Sequence, residues 1–317
     1  MRAIRMDSFG GPEVLRLAEV PDPSARGSQV LIDVTRAGVN YADIHVRDNT
    51  YLAEVATPFI PGNEVVGRTQ EGKRVVALTR GGGYAEKVVV HKKTVWEIPD
   101  GVSDEQATPI ALQGNTAWHL VFNVLQLRAG QKVVVPAAAG GVGSIAVQLA
   151  SQAGAEVIAL ASSEEKRQLA LELGASAVVD SSDVEDLGAR IETAARGKVQ
   201  AALEMTGGPT FEQTVNTLAP LGRLAVYGYA GGELSKELPL QTLLEQSITV
   251  SGFWLPHLYA GRNTFLNHST PALFGMISNG TLRTISGGTY ALGDAAQAHR
   301  DLASRAATGK LSLDTTQ

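Results

Sequence analysis

Ala138, Gly140 and Gly143 occupy the three small-residue slots of a dinucleotide-binding fingerprint, within Ala137-Ala138-Ala139-Gly140-Gly141-Val142-Gly143. A β-branched run, Lys132–Val135, comes before them and an amphipathic pattern through Ala150 follows, so the stretch reads as strand, tight turn and helix. That order is what a diphosphate requires. The chain must turn sharply, let the phosphates approach the backbone, and pack the new helix on its strand. The helix start at Gly140, Gly141, Val142 and Gly143 then offers free N–H groups and the positive end of its dipole to the anion. A glycine turn that merely joins two elements is the alternative, but a second strand, Glu156–Leu160, completes a βαβ unit.

Other chemistries are excluded by residue type. The chain has no cysteine, which removes disulfides, thiolate nucleophiles and thiolate-zinc sites together. Its six histidines, His45, His91, His119, His257, His268 and His299, are scattered without metal-ligand spacing, and each reads as a surface or core residue. No metal is expected. A net charge of −5 gives no electrostatic reason for nucleic acid or an anionic membrane as partner. The N-terminus lacks an apolar signal segment and no apolar run reaches spanning length, so a cytoplasmic protein is expected.

The elements that must position these residues fall into two textures. Residues 1–112 are β-rich and punctuated by Gly and Pro, with strands expected at Val14–Val20, Gln29–Ala37, Arg74–Leu78 and Ala85–Val90. Helical spacing begins near Glu105. Between residues 113 and 250 strand and helix patterns alternate, with strands at Ala177–Val179, Val199–Leu203, Arg223–Tyr227 and Ile248–Val250, and a helix over Glu164–Leu173 that Gly174 ends. This is the pattern of an α/β doubly wound parallel sheet, a Rossmann domain. Residues 251–317, with helices near Pro271–Asn279 and Asp294–Ala307 and a strand at Leu311–Leu313, are expected to return to the first domain.

Five stretches together resemble the medium-chain dehydrogenase/reductase superfamily: Gly38-Val39-Asn40-Tyr41-Ala42-Asp43, Pro61-Gly62-Asn63-Glu64, Gly82-Gly83-Tyr84-Ala85-Glu86, Leu112-Gln113-Gly114-Asn115-Thr116-Ala117, and Ala137 through Gly143. Within it, the chain is similar to the zinc-free quinone oxidoreductase branch that includes zeta-crystallin. The resemblance implies a GroES-like β-barrel catalytic domain beside the Rossmann domain, an active-site cleft between them, and a homodimer. Zinc-dependent relatives carry a cysteine where this chain has Asn40 and a histidine where it has Asn63, and neutral amides are poor zinc ligands.

The second strand of the βαβ unit ends in Ala161-Ser162-Ser163, with no acid to hold an unphosphorylated ribose. By the resemblance, Lys166 and Arg305 approach the 2′-phosphate of NADPH, with Ser162 and Ser163 nearby, while Ser181 stands where relatives have a tyrosine and lies beside Asp180. Ser162–Glu165 also reads as a capping box, which is compatible with phosphate binding. Thr206, Tyr227 and Gly228 lie at the ends of later strands, where such sheets bind ligands. Asn40, Asp43, Tyr51 and Thr116 are the implied catalytic set. Asn40 could hydrogen-bond ribose or a substrate carbonyl, Tyr51 and Tyr41 could donate to a developing oxyanion, and Asp43 could instead cap its loop. Packing is the other reading of Tyr41. Phe253 and Trp254 read as cleft wall or dimer contact.

Without a Lewis acid, a simple ketone is hard to polarise, whereas a quinone or enone delocalises the incoming charge itself. The expected activity is NADPH-dependent reduction of a quinone or another conjugated carbonyl. An enone or enoyl-thioester reductase and a non-catalytic, crystallin-like cofactor binder are the alternatives.

Overall fold

The computed structural model describes every residue except 233–237, 239 and 261–263, and the side chains of 260 and 264. The chain divides into two units, Met1–Gly114 with Leu258–Gln317, and Asn115–His257.

In the first unit, the strands are β1 (Arg2–Arg5), β2 (Arg16–Glu19), β3 (Gln29–Val39), β4 (Glu64–Thr69), β5 (Arg74–Leu78), β6 (Lys87–His91) and β7 (Val95–Glu97). The eleven-residue β3 organises them. One stretch of it pairs antiparallel with β6 (Gln29–Asp33), an overlapping stretch with β4 (Ile32–Ala37), and its end with a strand from the C-terminal segment. Alternating apolar positions Ile32, Val34, Val65, Val75 and Val88 face one core with Tyr84 and Leu313.

The second unit holds β8 (Lys132–Val135), β9 (Glu156–Ala161), β10 (Ala177–Asp180), β11 (Val199–Glu204), β12 (Leu218–Val226) and β13 (Thr249–Gly252). They form one parallel sheet in the order β10-β9-β8-β11-β12-β13. The progression reverses between β8 and β11, the switch point at which such sheets take a ligand. Val134, Ile158, Leu160, Ile191 and Leu224 fill the core between this sheet and its helices.

The chain then re-enters the first unit with β14 (Ser286–Ala291), parallel to β15 (Lys310–Asp314), which pairs with the end of β3. Among the described residues no helix is long and apolar enough to cross a membrane.

Several elements depart from the sequence expectation. A seven-residue helix, Tyr41–Arg47, is too short to show a period. β4 opens on a fully buried Glu64 and so lacks an apolar signature. β14 contains Gly287 and Gly288, and a Cβ on Gly287 would lie 2.0 Å from the Thr308 carbonyl oxygen, which requires glycine within a strand. Where helical spacing begins near Glu105, the chain forms an α-turn at Asp104–Ala107 and then wider π-helical turns at Ile110–Gly114 and Leu120–Val124. The helix expected to reach Ala307 ends at Ala303, because Arg305 adopts φ +59°.

Candidate active site and dinucleotide cradle

In the second unit, the turn after β8 is built from main chain. Ala137 takes the left-handed conformation (φ +44°) and its carbonyl accepts the Gly140 N–H at 2.8 Å. The sharpest bend therefore falls one residue before the first fingerprint slot. Ala138 is fully buried and its N–H is tied to the Leu160 carbonyl at 3.0 Å. The helix Gly141–Gln152 starts at once, and a Cβ on Gly143 would sit 2.2 Å from the Ala137 oxygen. Gly143 is thus required for contact between helix and turn. The orphan N–H groups of Gly141 and Val142, at the helix start, suit an anion.

At the tip of β9, Ser163 caps the helix Glu164–Glu172 through a 3.4 Å bond from the Lys166 N–H, while Ser162 is exposed. Lys166 is half-buried, which pulls its pKa below the usual lysine value. The Ser181 N–H donates to the Ala161 carbonyl at 3.2 Å, so Ser162, Ser163, Lys166 and Ser181 gather at the carboxyl ends of two neighbouring strands.

After β11, the Glu204 carboxylate turns back and accepts the N–H groups of Thr206 (2.5 Å) and Gly207 (2.7 Å). Burial pushes this carboxyl up, against those N–H bonds. The loop after β12 is stitched to it: Ala230 N–H donates to the Met205 carbonyl and Gly231 N–H to that of Thr206. Gly228 faces Met205 closely: a Cβ added there would lie 3.3 Å from that side chain. Tyr227 is partly buried, its phenol raised by desolvation first and by Glu204 second. Thr206 and Gly231 line an open pocket of about 190 Å³ with Gly207, Gly208, Pro209 and Thr210. Thr116 is buried on the helix Asn115–His119, and Phe253 stacks on His119 with ring centroids 6.2 Å apart.

The first unit carries a side-chain network instead. The Asn40 amide is engaged at both ends. Its Oδ1 accepts from Lys310 Nζ (2.8 Å) and Gln113 Nε2 (3.2 Å), and its Nδ2 donates to Glu64 Oε1 (3.0 Å) and the Gly38 carbonyl (3.3 Å). Lys310 is also ion-paired with Glu64, both buried, and Glu64 Oε2 accepts the Leu112 N–H. With four internal bonds and 4% exposure, the Asn40 amide is fixed in place by this network.

Asp43 is the hub of a second chain. It accepts from the Asn40 N–H (2.9 Å), Asn63 Nδ2 (2.7 Å) and the Tyr84 hydroxyl (3.0 Å). Burial pushes its carboxyl up to about 6, opposed by the Asn40 N–H, Lys310 and Tyr84. Tyr84 lies 3.1 Å from His299 Nε2, and Arg47 Nη1 lies 3.4 Å from His299 Nδ1. Because the tyrosine proton points at Asp43, Nε2 must carry the imidazole proton and Nδ1 must accept. The ring is neutral, and burial beside Arg47 drives its pKa down to about 3. Sequence reasoning does not identify Glu64, Tyr84, Arg47, His299 and Lys310 as site residues. Their signal is the presence of ionisable types inside apolar strands and helices.

Tyr51, the remaining expected catalytic residue, lies half-buried in the same unit as Tyr259, whose phenol is pushed up to about 12 by burial first and then by Tyr51. The Arg80 guanidinium stands over the Tyr259 ring at 5.6 Å. The Tyr41 hydroxyl donates to the Leu302 carbonyl at 3.0 Å, a packing role, and interacts with Arg305. Arg305 belongs to the first unit, whereas Ser162, Ser163, Lys166 and Ser181 belong to the second.

Family models agree with this two-part reading. Residues 26–100 match the alcohol dehydrogenase GroES-like domain and residues 141–269 the zinc-binding dehydrogenase domain. Quinone oxidoreductase of Rattus norvegicus is 32% identical over 315 residues, 95% of this chain and 94% of the relative. The Escherichia coli quinone oxidoreductase complexed with NADPH superposes with a TM-score of 0.93 at 27% identity, covering 99% of this chain and all of that one. The quinone oxidoreductase of Thermus thermophilus, solved alone and with NADPH, gives 0.88 at 34% identity over 99% and 100%. The fold and these matches define a medium-chain dehydrogenase/reductase. Within that superfamily, the chain belongs to the quinone oxidoreductase family.

The second domain's family description carries zinc, and the residues do not suit it. Asn40 and Asn63 are amides, Asn40 has no free oxygen, and the Lys310 ammonium already lies against Glu64. Among the described residues, no three His, Cys, Asp or Glu side chains gather as a metal site.

Proposed function

We propose that this chain is an NADPH-dependent reductase of quinones and related conjugated carbonyl compounds. The observation that carries the reading is the main-chain cradle after β8, where only glycine fits at 143 and the helix start leaves N–H groups for a diphosphate. The relatives named quinone oxidoreductase, two of them solved with NADPH, support the coenzyme and the acceptor class.

When bound, NADPH supplies a hydride from its nicotinamide. Ala138, Gly140, Gly141, Val142 and Gly143 would hold the diphosphate, and Ser162, Ser163, Lys166 and Ser181 of the same unit would hold the adenosine phosphate. Thr116, Thr206, Tyr227 and Gly228 are the residues that would border its nicotinamide. Tyr51 donates a hydrogen bond to the acceptor's carbonyl oxygen, and a proton from Tyr51 or solvent completes the reduction. Asp43 and Asn40 set the geometry rather than react. No metal takes part. An acceptor that spreads the hydride's charge over a conjugated system needs only alignment and a donor.

A homodimer is part of the same reading. Among the described residues β13 has one unpaired edge, and Leu221, Leu240 and Leu244 near it are 76–83% exposed. Light scattering on the eluting protein tests this.

The function is tested by following NADPH oxidation against 1,4-benzoquinone, an enal and an enoyl thioester. Turnover with the quinone exceeding that with the thioester is expected. Bound NADPH that none of these acceptors oxidises would refute the assignment.

A further inference from the structure

The tip of β9 carries an ion cluster that the family motifs do not explain. Arg167, on the helix Glu164–Glu172, places Nη1 3.0 Å from Asp180 Oδ2 and donates from the same nitrogen to the Ala161 carbonyl at 3.3 Å. Its Nε (3.2 Å) and Nη2 (2.9 Å) both donate to Glu164 Oε2. Ala161 and Asp180 are register partners at the carboxyl ends of β9 and β10. The guanidinium therefore spans two carboxylates on either side of the Ser162–Ser163 turn. The Ser182 N–H at 2.9 Å and Arg167 hold the Asp180 carboxyl below its usual range, so it is fully charged at neutral pH. Arg190, which also faces this loop, is spent on the main-chain carbonyls of Asp180, Asp183 and Glu185. Lys166 is the neighbouring cation on the same helix.

We propose that Arg167 is a specificity-determining residue for a phosphorylated dinucleotide, acting by offsetting the negative charge of Asp180 and Glu164 rather than by touching the phosphate. The inference rests on the reading that the adenosine ribose lies at the carboxyl end of β9. An acid at that tip favours an unphosphorylated ribose and repels a 2′-phosphate. In this chain an acid stands one strand over, at Asp180, and a second carboxylate stands at Glu164. Both lie beside the same serines. With Arg167 in place, one of the two carboxylate charges facing a dianion is offset. Without it, two carboxylates stand within roughly a Debye length of about 8 Å. An uncompensated charge at such range changes an anion's affinity on the order of tenfold.

The test is dissociation constants for NADPH and NADH, measured by fluorescence titration on the full chain at low and at physiological salt. Arg167→Gln should raise the NADPH constant on the order of tenfold at low salt and less at physiological salt, leaving the NADH constant within about twofold. Asp180→Asn added to Arg167→Gln should restore most of the NADPH affinity. Arg167→Lys, which keeps the charge without the fork, should hold the preference. Equal weakening of both coenzymes by Arg167→Gln, no rescue by Asp180→Asn, or equal loss in Arg167→Lys and Arg167→Gln would each overturn the proposal. Wild-type protein that binds neither coenzyme would instead overturn the proposed function, so the two failures are told apart.

Discussion

Lys310→Met removes the ammonium that faces Glu64 while keeping most of the side-chain volume. In the folded protein Glu64 is completely buried, and its Oε1 contacts are Lys310 and the Asn40 amide, with Oε2 on the Leu112 N–H. Two neutral donors would remain around a carboxylate with no water to solvate it. Asn40 Oδ1 would keep Gln113 and lose its charged donor. Breaking a buried pair by removing one partner costs about 3–5 kcal/mol. In a unit of this size each kcal/mol moves the melting temperature by roughly 2–4 °C, so a fall of about 6–20 °C is expected. Glu64→Gln added to Lys310→Met removes the buried charge and keeps an amide oxygen that can accept from the Leu112 N–H or the Asn40 amide. That double variant should recover more than half of the loss. Scanning calorimetry on both variants measures it. A single variant within about 1 kcal/mol of wild type, or a double variant no better than the single, would show that Glu64 and Lys310 are not coupled as the geometry requires.

Asp43 gives a pH signature. Its folded pKa of about 6 lies above the ordinary 3.8, so its contribution to stability is full below about pH 4 and is lost as pH rises through 6. Asp43→Asn should lack that slope in melting temperature against pH, and a wild-type curve that rises between pH 4 and 6 in parallel with the variant would contradict the burial argument. Tyr51→Phe should lower kcat for quinone reduction about tenfold with little change in the NADPH KM, less than a full oxyanion-hole loss because the acceptor carries part of the charge; unchanged turnover removes Tyr51 from the mechanism. Gly143→Ala forces a methyl to within 2.2 Å of the Ala137 oxygen. The helix must move, costing about 1–3 kcal/mol, and NADPH titration should show affinity lower by at least about tenfold.

The dinucleotide cradle is legible in the sequence because main chain builds it. Ala138, Gly140 and Gly143 are chosen for what they lack, and a missing side chain leaves a local, contiguous record. The parallel sheet is legible for a similar reason, since strand and helix periods alternate along residues 132–252. The first unit's network leaves almost no such record. Lys310 meets Glu64 across 246 positions and Asn40 across 270, and Tyr84 meets His299 across 215. No window of sequence contains both partners. Periodicity also discounts ionisable residues inside strands, which is why β4, opening on Glu64, escapes it. Motif position singles out Asn40, but the bonds that occupy its amide come mostly from residues remote in the chain.

The direction of the protons in that network bears on what can act as an acid. Arg47 donates to His299, His299 to Tyr84, and Tyr84 to Asp43, so every hydrogen points along the chain toward one carboxylate. Such an array stabilises Asp43 as an anion and orients Asn63, whose amide protons it attracts. It has no proton to release outward, because His299 would have to give up its hydrogen bond to Tyr84 and cannot be recharged near neutral pH with a pKa of about 3. Asn40 and Lys310 are likewise committed to Glu64 and to each other. Proton delivery to a reduced acceptor therefore falls to groups outside the network. In the proposed mechanism that proton comes from Tyr51 or from solvent, and Tyr51→Phe tests this: a loss of about tenfold is expected if the phenol serves the acceptor, and unchanged turnover if solvent alone does.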